Sequence, residues 1–95
     1  MTRVDVAASA TGTTAAFSSG VAQTASGPEL LFGVVALASG SAAPAWDPGW
    51  TALAPYAVGN SYVGRAWRAP SSATSASASG SATGRWLAGV VAFAP

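Results

Sequence analysis

The chain has 95 residues, with four arginines, no lysine, three carboxylates, no histidine and no cysteine, for a formal net charge of +1. That inventory removes the usual ligands of zinc, haem and iron–sulfur sites, the thiol nucleophile, the Schiff-base lysine and the phosphate-loop lysine. The charge is too small for a nucleic-acid footprint, and the length suits one domain spanning residues 1–95.

The chain is punctuated by 11 Gly and 6 Pro, and its apolar residues follow period 2 rather than 3.6. Val4, Val6 and Ala8 alternate with Asp5, Ala7 and Ser9, a first strand running into a turn at Thr11-Gly12-Thr13. Residues 14–17 form a weak second strand, which residues 21–24 extend until Ser26-Gly27-Pro28 ends it. Residues 30–37, LLFGVVAL, make the strongest strand, and their unbroken apolar character predicts burial on both faces. Residues 39–44 read as a loop. Trp46-Asp47-Pro48-Gly49-Trp50 has the make-up of a tight turn, followed by a short strand at 51–53.

Residues 61–69 form another strand, with Val63, Arg65, Trp67 and Ala69 on one face and Tyr62, Gly64, Ala66 and Arg68 on the other. From 74 to 82, Thr, Ala and Gly alternate with Ser75, Ser77, Ser79 and Ser81, a pattern that predicts one ordered strand with its serines outward. The last strand covers residues 85–93. Seven short strands at this spacing predict an all-β fold, a small antiparallel β-sandwich or jelly roll. Its core is expected to be thin: 24 of the 48 nominally hydrophobic residues are Ala, and there is no Ile. GC-rich coding accounts for such a composition. With no disulfide to staple it, a domain this small gains from contacts with neighbours.

The candidate contact or ligand residues are Trp46, Asp47, Tyr56, Tyr62, Arg65 and Arg68. Two indoles flanking a carboxylate, at Trp46, Asp47 and Trp50, have the chemistry of a sugar platform, although Trp50 equally suits the core. Trp67 and Trp86, within strong strands, are expected to pack inside. Arg65 and Arg68 differ in parity and so belong to opposite faces, each pairing with Asp5, Glu29 or Asp47 or touching a neighbouring subunit. The three acids lack the spacing of a catalytic pair or of a calcium loop, so no catalytic residue, metal or cofactor is expected. The longest apolar run, residues 30–38, is too short to span a bilayer as a helix, and no leader sequence is visible.

Four stretches taken together, Glu29-Leu30-Leu31-Phe32-Gly33-Val34-Val35, Gly49-Trp50-Thr51-Ala52-Leu53, Gly64-Arg65-Ala66-Trp67-Arg68 and Gly84-Arg85-Trp86-Leu87-Ala88-Gly89-Val90-Val91-Ala92-Phe93, have a familiar order. They resemble an uncharacterised β-sandwich module of actinobacterial exported proteins and of structural proteins of their phages. The opening Val4-Asp5-Val6-Ala7-Ala8-Ser9-Ala10-Thr11-Gly12 is similar to that module's first strand. The resemblance implies a scaffold without catalytic residues. A single such module behind an initiator Met leads us to expect a non-enzymatic virion subunit, a head decoration or tail-associated protein. It would be made in the host cytoplasm and bind copies of itself and the particle, with no nucleic-acid or membrane partner. The alternative expectation is a carbohydrate-binding module at the cell surface or outside the cell, presenting Trp46, Tyr56 or Tyr62 to glycans.

Overall fold

The computed structural model describes residues 3–24, 29–38, 43–70, 72 and 74–94. The Ser26-Gly27-Pro28 strand end and most of the loop expected at 39–44 lie outside the described residues. The fold is an antiparallel β-sandwich; the described residues contain no helix and eleven strands rather than the seven expected.

The first layer is a six-stranded sheet. It contains β1 (Arg3–Gly12), β4 (Leu30–Leu37), β6 (Thr51–Ala52), β7 (Tyr56–Val58), β8 (Ser61–Arg68) and β11 (Trp86–Ala94). Their order is β1-β11-β4-β8-β6, with β7 also paired to β8. The second layer comprises β2 (Ala16–Ser18), β3 (Ala22–Gln23), β5 (Ala45–Trp46), β9 (Ser75–Ala76) and β10 (Ser79–Ser81). Here β2-β10-β5 form one small sheet and β3-β9 another.

The extra strands arise in two ways. Both β5 and β7 are too short and too poor in β-branched residues to stand out in a periodicity window. The expected strand at 74–82 keeps its alternation, with Ala76, Ala78, Gly80 and Ala82 buried, but its ladder divides in two. Phe17 lies opposite Gly80, whereas Ala22 lies opposite Ala76, so the β2–β3 arm has one residue more than the arm it pairs with. That residue is accommodated at Gly20, whose φ of 83° suits a residue without a Cβ.

Side-chain hydroxyls span the interruption. The buried Ser19 donates its own N–H to the Ala78 carbonyl (2.9 Å), while its Oγ accepts the Ala78 N–H (2.9 Å). Thr24 repeats the device, with Oγ1 accepting the Thr74 N–H at 2.9 Å. Both hydroxyls take the place of a missing ladder partner, so the buried amide of Ala78 is not orphaned.

The core lies between the layers. Phe17 and Ala82 from the second layer pack with Val35, Leu37, Trp86 and Ala88 from the first. Ala22 and Ala78 meet Val90, and Ala76 meets Leu31 and Ala92. Phe17, Leu31, Leu37 and Val35 are the largest fully buried apolar side chains. Each contributes about 1.5–3 kcal/mol by burial, while each core alanine supplies little more than one methyl. Trp86 is buried as expected, and its Nε1 donates to the Thr14 carbonyl at 3.0 Å.

One expectation for β4 is overturned. Leu31, Gly33, Val35 and Leu37 are buried, but Leu30, Phe32 and Ala36 are only half-buried and Val34 is exposed. Among the described residues no second-layer strand covers that side, so the unbroken apolar run marks a sheet with one dry face and one bare apolar face.

Candidate interaction surface

The strand register assembles the outer face of the large sheet into cross-strand rows. Thr11 faces Leu87, which faces Ala36, then Val63 and Tyr56. Ser9, Gly89, Val34 and Arg65 form the next row. Ala7, Val91, Phe32, Trp67 and Thr51 form a third, and Val4, Phe93 and Leu30 a fourth. Opposed residues of an antiparallel ladder project to the same side, so these side chains form one continuous surface.

Leu87 is 52% exposed, while Val34 and Trp67 are each 38% exposed. Arg65 is the only charged side chain in the three rows that join β11, β4 and β8, and its Nη2 donates to the Ala54 carbonyl at 3.1 Å. Contiguous apolar surface of this kind on a folded domain makes it a candidate contact site. At its centre Gly89 leaves a dent of about 200 Å³ bordered by Ala8, Phe32, Val34 and Val91. A larger groove of about 510 Å³ opens where the same strands end, lined by Thr11, Leu37, Tyr62, Arg85, Trp86 and Leu87 among others.

The expectation that Trp67 packs inside is incorrect. On β8 the inward parity belongs to Gly64, Ala66 and Arg68, and the indole of Trp46 lies over Gly64 and over Gly33 of β4. A Cβ at Gly33 would come within 3.0 Å of Trp46 Cζ3, and one at Gly64 within 3.4 Å of its Nε1. Trp67 has the opposite parity and lies across from Phe32 on the outer side of the sheet.

The six predicted site residues separate into distinct environments. The half-buried Trp46 points into the sandwich, edge-on to Phe17 with centroids 5.2 Å apart and tilted against Trp50 at 5.4 Å. Trp50 is half-buried as well, its Nε1 donating to the Ser77 carbonyl at 3.1 Å. The two indoles therefore do not form an open platform around Asp47, which sits exposed in the turn completed by Gly49 at a φ of 102°. Tyr62 is half-buried against the core, and Arg68 lies half-buried beside Gly49. Arg65 and Arg68 do take opposite faces.

Only Tyr56 and Arg65 share the outer surface, with Tyr56 64% exposed. Sequence reasoning did not single out Val34 or Leu87 as exposed and expected Trp67 inside. Their signal was present in the parity of β8 and β11, once β4 is recognised as apolar on a face that nothing covers.

Among the described residues no cluster of three or more His, Cys, Asp or Glu side chains could hold a metal ion, and no helix is long and apolar enough to cross a membrane. Neither a scan of protein-family models nor searches of curated proteins and of solved structures return a match to this chain.

Proposed function

We propose that the protein is a non-enzymatic structural subunit of a phage particle, a head decoration or tail-associated protein held in place by protein–protein contacts. The observation that carries this reading is the bare apolar outer face of the six-stranded sheet, centred on Val34, Trp67 and Leu87. A face with so little charge buries against a neighbour without stranding ions away from water. The small net charge of +1 lets many copies sit close together without accumulating repulsion. The phage setting comes from the module resemblance. An aromatic-based glycan site is supported less well, because Trp46 and Trp50 pack against each other and against the core.

The test is mass spectrometry and immunogold microscopy of particles purified from lysates of cells expressing the gene. Stoichiometric incorporation of the protein is expected, lost in Val34→Lys. Particles that form and infect without the protein aboard would refute the reading.

A further inference from the structure

We propose that the free edge of β1 is a self-association site, at which two copies pair their first strands antiparallel and join two six-stranded sheets into one of twelve. The backbone edge of β1 borders the outer face, to which Ala7, Ser9 and Thr11 also belong, but lies apart from Val34, Trp67 and Leu87 at the centre on which the assembly reading rests.

The two edges of the large sheet are built differently. The far edge is blunted: β6 and β7 have only two and three residues, Pro55 stands between them, and Arg65 lays its guanidinium on the Ala54 carbonyl. These are the devices by which sheets avoid pairing with another chain. The near edge has almost none of them. Strand β1 runs for ten residues, and among the described residues its ladder partner is β11 alone. From residue 6 to residue 12 it reads VAASATG, without charge or proline. On its other side, the outward backbone N–H and C=O groups of this stretch have no ladder partner among the described residues.

A register shift between Val4 and Val6, at Asp5, offsets the ladder by one residue, so the longest regular stretch of β1 runs from Val6 to Gly12. The remaining stretch is self-complementary about Ser9. A two-fold axis through that residue, perpendicular to the sheet, sets Ala7 opposite Thr11 of the second copy and Ala8 opposite Ala10. Every opposed pair then has matching parity, so the outer faces of both copies lie on the same side of the joined sheet. All seven side chains are small or β-branched, which allows the backbones to reach ladder distance. No charge is buried in the process. A second copy is the occupant that satisfies both strands at once, because each lacks what the other offers.

The experiment measures sedimentation together with hydrogen exchange of the full chain across a concentration series. A dimer with a dissociation constant in the range of about 1–100 µM is expected. Within residues 6–12, the amides free in the monomer should become protected as the dimer forms. Ser9→Lys places two ammonium groups opposite each other at the axis and should weaken the dimer by at least about tenfold. Ser9 is exposed, so the fold itself should survive, and circular dichroism checks this. Val34→Lys should abolish particle incorporation and leave the dimer intact. The proposal fails if the chain stays monomeric throughout, if those amides exchange alike in monomer and dimer, if Val34→Lys breaks the dimer, or if Ser9→Lys spares it.

Discussion

Gly80 allows the packing argument to be tested with a single methyl. It lies on β10 between β2 and β5, opposite Phe17 on one side and Trp46 on the other. A Cβ there would collide with the Ala45 carbonyl oxygen and come within 2.8 Å of Phe17 Cε2 and 2.9 Å of Cζ. The Phe17 ring cannot yield easily, being 1% exposed and wedged edge-on against Trp46 and Trp86. Gly80→Ala must therefore pull β5 off the ladder or push Phe17 from its site. Overpacking of a tight core costs about 1–3 kcal/mol, and a rigid backbone obstacle places this case near the top, at about 3 kcal/mol.

For a domain of this size the predicted drop in Tm is about 12–24 °C. Gly89→Ala is the matched control, since its Cβ meets Val34 Cγ1 at 3.7 Å and the Ala8 carbonyl at 3.8 Å, both ordinary contacts. By reducing the freedom of the unfolded chain it should gain about 0.5–1 kcal/mol, raising Tm by about 2–8 °C. Thermal melts followed by near-ultraviolet circular dichroism, with urea titrations alongside, measure both variants. Equal midpoints, or two variants that fall together, would refute the description of β10 as clamped between its neighbours.

Three further outcomes follow from the same geometry. Ser19→Ala removes the acceptor of the buried Ala78 amide and should cost about 1–3 kcal/mol in urea unfolding. Trp67→Phe should remove much of the fluorescence that iodide quenches, because Trp86 is buried and Trp46 and Trp50 are half-buried. Association through apolar surface and backbone pairing should change little between about 0.05 and about 1 M salt, whereas a charge-driven contact would weaken as the Debye length shrinks to about 3 Å. Sedimentation at both salt concentrations distinguishes the two.

The parity of the 74–82 arm was legible in the sequence because small residues alternate there with serines, whereas on β8 the two faces were legible but which of them turns inward was not, since Trp67 was expected inside. The turn at Pro48-Gly49 was legible too, since proline and glycine encode its dihedrals directly. By contrast, β4 is apolar at both parities, so its pattern carried no information about which face the second layer would cover. Only the position of Phe17, Ala22 and the 74–82 arm over Leu31, Val35 and Leu37 decides that, and such a contact is non-local. The inward turn of Trp46 depends on two glycines, Gly33 and Gly64, distant in sequence and adjacent only once β4 and β8 pair. The extra residue at Gly20 was hidden because a one-residue offset between arms leaves no trace in either arm alone.

The substitution of serine and threonine hydroxyls for ladder partners makes the two halves of the sandwich mechanically unequal. Long uninterrupted strands give the large sheet the character of a stiff panel, whereas the opposite side is tacked down by Ser19, Thr24 and two- or three-residue pairings. Local opening should begin on that tacked side, well before the panel yields. Such a molecule can therefore breathe on one side while keeping the contour it offers to its neighbours unchanged.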